Sequence, residues 1–517
     1  MLEFDMTPTP WSGSRRTCLR AGSTLLLGAL FAGVPDAAAG AAVGQVDAVD
    51  RYLRAQIRKL RIPGMAVAVV KDRRVVLLRN YGTASVEFDQ PVRDDTVFAI
   101  NSVTKALTGV AAMRLVEQGK LDLAAPVGRY LTDLPEAWRG VTIRQLLSHM
   151  SGLPDIMRAP TVETNAAAAW AWIQQQPVVF APGQRFHYCQ TNYTLIQRVL
   201  NTIERRALDA PLAEEQMRLA GMTQTSYGDA YDVIPHRGPT YRWDLPGPFV
   251  NGYSTAAPDA PRVMKAASER FLPFRRASSG LNSSARDLAR WLIAIDDGTL
   301  LSPQSRAALW TPVAFTSDEK GQWGLGWQVF ARGTHRAVGM TGGGRAAVFL
   351  YPEDRVGVVI LTNLGGAFPE DMVDKIAALY APGLVLSGVP ALRIALEEQG
   401  YDKADRATAA IEASDPALVW PEMELNDWGY RLISTGRAKD ALAVFALIAR
   451  KFPQSANAHD SLAQAYRVNG DTAKAIVEYQ RVLQLDPGNE SARHHIAEMQ
   501  DASPNSGYPA TPPNLPR

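Results

Sequence analysis

The chain has 517 residues, 54 of them basic and 52 acidic, for a net charge of +2, with 46% hydrophobic and 21% charged side chains. That length exceeds one ordinary core and predicts several globular domains. The charge balance excludes bulk electrostatic attraction to nucleic acid or an anionic membrane as the organising interaction.

The opening residues read as an export address. Ser14-Arg15-Arg16-Thr17-Cys18-Leu19-Arg20 precedes an apolar run from Leu25 to Val34, and Ala37-Ala38-Ala39 then offers small side chains suited to cleavage. The paired arginines resemble a twin-arginine signal, with Cys18 where an aromatic or large apolar residue is usual. The run is shorter than the ~20 residues a membrane span needs. Residues 1–41 are therefore expected to send the chain to the periplasm or outside the cell, with no stable membrane span left after cleavage. Cys189 would then stand alone, without an internal disulfide.

Val46 to Leu60 has helical spacing and is ended by Pro63-Gly64. Two β-rich runs follow, Met65 to Val70 and Val75 to Leu78, joined by the charged turn Lys71-Asp72-Arg73-Arg74 as a hairpin.

Ile100 to Gly109 then opens a segment of helical period that places Ser102 at a helix N-terminus. Lys105 follows Ser102 by nearly one turn, so hydroxyl and amine share a face, a nucleophile with its base. Free backbone N–H groups at such a terminus favour a developing oxyanion. A second Ser-x-x-Lys, Ser317 to Lys320, lies in an acidic, loop-like setting that would not desolvate its lysine.

From about residue 106 to 310 the pattern is helical and loop-rich, including Thr142 to Ser148 and Ala285 to Asp296. Strand character returns in Gly326 to Phe330, Ala346 to Tyr351 and Val356 to Thr362, and a helix from Asp371 to Tyr380 closes the unit. This predicts a sheet built from both ends of one domain around an inserted helical block. Pro382-Gly383 and Gly388-Val389-Pro390 mark a boundary near 385, and helical pieces Ala391 to Gln399 and Lys403 to Ala413 read as a linker over 386–423.

Beyond 424 the sequence repeats. Gly436 and Gly470, Ala441 and Ala475, Phe445 and Tyr479, and Pro453 and Pro487 are each 34 residues apart, a period similar to tetratricopeptide helix pairs. Units at 424–457 and 458–491 with a capping helix Ser491 to Gln500 make up 424–500. The proline-rich 501–517 reads as a disordered tail. The repeats are expected either to pack on the catalytic domain or to hold a protein or peptide partner.

Ser102-Val103-Thr104-Lys105, Leu146 to Leu153, Tyr188-Cys189-Gln190, Gly324-Leu325-Gly326-Trp327 and Thr341-Gly342-Gly343 resemble, in order and spacing, the serine β-lactamase and penicillin-binding family, in its class C-like branch. The resemblance covers about residues 45–380 and implies a multidomain chain. At 42–385 it implies an α/β (α+β) domain with an antiparallel sheet flanked by helices and an inserted all-α subdomain, ahead of the all-α repeats. It implies Ser102 as nucleophile, Lys105 as first proton acceptor and Tyr188 as the shuttle to the leaving group. The N–H groups of Ser102 and Gly343 would form the oxyanion hole, and Thr341, Gly342 and Gln190 would bind substrate. No cofactor is implied, and no metal-ligand motif appears among the seven histidines.

Three positions depart from the family pattern. Cys189 and Gln190 stand where serine or alanine and then asparagine are usual, and Met340 where a Lys, His or Trp is common. Either a nearby cation such as Arg345 is expected to compensate for Met340, or Tyr188 stays neutral and Lys105 carries acylation alone. His149 and His187 read as structural, and Cys189 lacks partners for a thiol nucleophile.

The expected activity is hydrolysis of small esters or D-amino-acid-containing peptides through an acyl-enzyme, rather than antibiotic degradation, because the third motif lacks the cation that grips a carboxylate. The alternative is a catalytically impaired fold kept as a peptidoglycan- or ligand-binding module, with the repeats as its working part.

Overall fold

The computed structural model describes residues 37–206, 214–244, 249–250, 253–254, 261–316 and 321–501. Most of the expected export signal, the Ser-x-x-Lys at 317–320 and the tail after 501 lie outside the described residues. The chain divides into two compact units, Met1–Gly44 and Gln45–Arg517. Of the first, the described part is helical, Ala37–Gly44. The second holds the sheet, the inserted block and the C-terminal helices.

Helix α1 (Ala37–Leu60) leads into the hairpin β1 (Gly64–Lys71) and β2 (Arg74–Ser85), with a short β3 (Gln90–Pro91). After the inserted block come β4 (Gln328–Arg332), β5 (His335–Gly342), β6 (Ala346–Tyr351) and β7 (Val356–Thr362). They form one seven-stranded sheet in the order β4-β5-β6-β7-β1-β2-β3, with antiparallel pairing throughout. The expected closure is therefore present, with Met65 of β1 opposite Thr362 of β7.

The central strands are apolar runs because helices cover both faces. Ala66, Ala68 and Val70 of β1 enter the core shared with the inserted block, while Met65, Val67 and Val69 face the opposite way into a second core. The inserted block contributes α2 (Thr104–Glu117), α3 (Gln190–Glu204) and α4 (Ala285–Asp296) to the first core. α1 and α5 (Glu370–Tyr380) cover the second.

The C-terminal region is a stack of helices: α6 (Gly388–Gln399), α7 (Ala404–Ser414), α8 (Glu422–Ser434), α9 (Ala438–Lys451), α10 (Ala456–Val468), α11 (Thr472–Leu485) and α12 (Glu490–Asp501). The segment expected as a linker is instead part of this stack. Leu392 and Leu396 of α6 and Ala404 and Ala407 of α7 share one buried cluster with Leu425 and Trp428 of α8 and Phe445 of α9. The two helices meet at Gly400, where a φ of +102° gives the sharp reversal that other residues resist.

Buried charge fastens the stack to the sheet. Arg332 at the end of β4, 6% exposed, pairs with Asp374 of α5 at 2.7 Å and with Glu424 of α8 at 2.8 Å. Asp371 of α5 receives Arg393 at 3.1 Å and Arg431 at 2.9 Å.

Candidate active site

Asn101–Val103 form a 3-10 turn that runs into α2 at Thr104, so Ser102 sits two residues ahead of the helix proper. Asn101 has a φ of +44°, a strained left-handed conformation immediately before Ser102. Lys105, in the first turn of α2, is fully buried. Its Nζ lies 3.2 Å from Ser102 Oγ and donates to the Ser278 carbonyl at 3.0 Å. Burial pushes the Lys105 ammonium well below its ordinary value, and the charge of Arg275 adds to the effect.

Tyr188, from the loop before α3, closes the group. Lys105 Nζ is 4.7 Å from the centre of its ring, and against the effect of burial the neighbouring Ser102 and Gln190 side chains draw the phenol's pKa down. Burial raises the phenol above its ordinary value, so the hydroxyl keeps its proton. The structure thus brings Ser102, Lys105, Tyr188 and Gln190 into one cleft from two distant stretches of chain. Gln190 is the first residue of α3, and its N–H donates to Asp155 Oδ1 at 3.1 Å.

His149 lies behind Tyr188, fully buried, with ring centres 4.4 Å apart. Its Nδ1 accepts the Cys189 N–H at 3.1 Å, and burial holds the ring well below its ordinary pKa, so it is neutral. The Cys189 thiol is buried and pushed up to about 12, unsuited to nucleophilic work.

The remaining motifs are close approaches of backbone. A Cβ at Gly326 would fall 2.6 Å from the Lys105 carbonyl oxygen, and one at Gly109 would fall 2.2 Å from that of Leu325. These two glycines let Gly324-Leu325-Gly326-Trp327 lie directly on α2. At the end of β5, a Cβ on Gly342 would lie 2.0 Å from Ile100 O and 3.1 Å from Ser102 N. Gly343 follows, exposed, with a φ of +57°. Thr341 pairs with Ala347 and Gly342 with Ala346, so both lie on the strand flanking Ser102.

One expectation needs correction. Arg345 is not a free cation: it is 5% exposed, and its guanidinium makes two hydrogen bonds to Glu269, at 2.8 and 2.9 Å, and one to Thr240 Oγ1 at 3.1 Å. Met340 is 2% exposed and packs with Val338 and Val348 in the core, because the alternation of β5 turns it inward. The sequence reading missed Glu269, which also accepts from Asn101 Nδ2 at 3.1 Å and so braces the residue before Ser102. It sits in a loop with no motif around it. Ser278, which orients Lys105 through a carbonyl, carries no side-chain signal either.

Among the described residues, no group of three His, Cys, Asp or Glu side chains is placed to hold a metal, and no helix is long and apolar enough to cross a membrane.

Residues 49–381 match the Beta-lactamase family model, and residues 456–489 match a Tetratricopeptide repeat model. Protein flp of Staphylococcus aureus (strain N315) is 23% identical over 343 residues, which cover 63% of this chain and 65% of that protein. The chain thus spans somewhat less than two thirds of the length of that relative. D-alanine carboxypeptidase AmpC from Burkholderia cenocepacia aligns with a TM-score of 0.53 at 20% identity, covering 66% of this chain and 100% of that one. EstCE1, a hydrolase with promiscuous acyltransferase activity, aligns with a TM-score of 0.52 at 21% identity, covering 67% and 99%. At these identities the structural likenesses establish the fold.

Proposed function

The chain belongs to the Beta-lactamase family, and from that premise we propose that it is a serine hydrolase acting through an acyl-enzyme on Ser102. The observation that carries the reading is the buried Lys105 amine 3.2 Å from Ser102 Oγ and 4.7 Å from the centre of the Tyr188 ring.

Lys105 is neutral in this reading. One of its N–H groups is held by Ser278 O, and its lone pair accepts the Ser102 proton as Oγ attacks the substrate carbonyl. The N–H groups of Ser102 and Gly343 hold the oxyanion. The proton passes through the neutral Tyr188 hydroxyl to the leaving alcohol or amine, leaving acyl-Ser102. Water, deprotonated by the same relay, then releases the carboxylic acid and restores the serine.

Because Glu269 neutralises Arg345 on the strand wall, the site favours acyl groups without a carboxylate. Small esters fit this best, with D-amino-acid peptides next, in keeping with the esterase-like and carboxypeptidase folds among its neighbours. Export through the Arg15-Arg16 segment is proposed on sequence alone, and fusion of residues 1–41 to a reporter tests it. The repeats belong to a protein-interaction architecture, and we propose a peptide or protein as their partner.

A fluorophosphonate probe should label the full-length chain and not Ser102→Ala. Absence of label on both would replace this reading with a ligand-binding module.

A further inference from the structure

A cavity of about 310 Å³ opens where the helical stack docks on the sheet domain, bounded by α1, α5, α6, α8 and the turn after β7. Domain junctions are common places for small-molecule sites, and this volume is at the lower end of their range. Five basic and three acidic side chains line it. Its apolar wall includes Leu60, Met372 and Trp428.

Two of the basic groups have unused capacity. Lys375, 39% exposed, reaches its nearest carboxylate, Glu398, only at 3.7 Å. Arg431 uses one terminal nitrogen, Nη2, on Asp371 at 2.9 Å and leaves the other, Nη1, without a protein acceptor. A bound carboxylate supplies that acceptor in a charge-assisted hydrogen bond.

The floor of the cavity is the turn Gly366-Ala367-Phe368. Phe368 donates its N–H to Gly344 O at 2.9 Å, and its ring edge would lie 3.0 Å from a Cβ at Gly344. Phe368 itself holds a strained φ of +46°. The turn that forms the cavity floor therefore packs directly on the turn carrying Gly343.

We propose that this cavity binds an amphipathic monocarboxylate, its head group at Lys375 and Arg431 and its apolar part against Leu60, Met372 and Trp428, and that occupancy is transmitted through Phe368 to the Gly343-Gly344 turn. The site is separate from the Ser102 cleft and does not depend on acyl chemistry there.

The test uses the full chain and hexanoate as probe, with hexan-1-ol as the uncharged control. Calorimetric titration should show saturable hexanoate binding to wild type and to Ser102→Ala alike, and weaker binding of hexan-1-ol. Lys375→Gln should weaken it about tenfold. Gln56→Trp, which fills the cavity from the half-buried face of α1, should abolish it without changing the melting temperature of the free protein. Hydrogen exchange should report altered protection in residues 342–346 and 364–368 on binding. Absent binding, or binding unaffected by Gln56→Trp, overturns the site; binding with unchanged exchange at 342–346 overturns the transmission. Loss of binding in Ser102→Ala would place hexanoate in the cleft and overturn the site as well.

Discussion

Lys105 Nζ donates to the carbonyl oxygen of Ser278 at 3.0 Å, across 173 residues of sequence. An amine held this way at one hydrogen has a fixed orientation, and the 3.2 Å contact to Ser102 then sets the line of proton transfer. Replacing the amine should therefore cost far more than a surface charge would. Lys105→Ala is expected to lower kcat for a p-nitrophenyl ester by about 10²–10⁴-fold, with a smaller change in KM. Steady-state kinetics checks this, and near-normal turnover would remove Lys105 as the base.

The same burial makes stability depend on pH with a definite sign. Folding lowers the Lys105 pKa, so between the folded and unfolded values the unfolded chain binds the extra proton. This group's contribution therefore rises with pH across that window and is lost as pH falls toward the folded value. Lys105→Met should show a shallower loss of melting temperature on acidification than wild type. Parallel curves for the two proteins would mean that Lys105 is not held neutral.

Glu370, at the start of α5, has the opposite sign. Burial raises its carboxyl above the ordinary value against the pull of Arg431, and its Oε2 has no hydrogen-bond partner. The folded state keeps the proton longer, so this contribution is present at low pH and is lost as pH rises through the folded pKa. Glu370→Gln should gain on wild type in urea melts taken from about pH 5 to about pH 8.

Glu269 and Arg345 form a pair whose halves are unequal: Arg345 is 5% exposed, whereas the Glu269 side chain is 31% exposed. Glu269→Gln leaves the guanidinium uncompensated and should destabilise by about 3 kcal/mol, the lower end for a broken buried pair. It also releases Asn101, so kcat should fall with it. Adding Arg345→Met should recover most of the stability, while a variant equal to the single mutant would show that the charge was not the cause.

Gly342→Ala places a methyl group 2.0 Å from Ile100 O and 3.1 Å from Ser102 N. Either β5 or the Ser102 turn must move, misplacing an oxyanion donor, a change that costs about 10²–10³ in kcat in other hydrolases. Circular dichroism should show a retained fold, and the fluorophosphonate reaction should slow in proportion.

How much of this was legible in the sequence depended on where each signal lay. β6 and β7 matched their expected bounds because sandwiched strands are written as continuous apolar runs. The strand His335–Gly342 was harder to delimit: its glycines and paired bases blur any alternation, although it carries Met340, Thr341 and Gly342. Ser102 and Lys105 were readable because one helical turn joins them. Their link to Tyr188 needed the order of several motifs, since spacing says nothing about loops that meet at a distance. Glu269 and Ser278 were invisible for a different reason. One is a lone loop carboxylate, and the other acts through its backbone, which any residue type supplies. The helices α6 and α7 had visible period, but only packing could show that they belong to the stack rather than bridge to it.

The buried Arg332, clamped between Asp374 and Glu424, ties strand β4 to helix α8 of the C-terminal stack. A flexible leash would let cargo on the repeats roam and would set only its local concentration. This anchorage works as a ruler, holding the helical stack at one distance and one angle from Ser102.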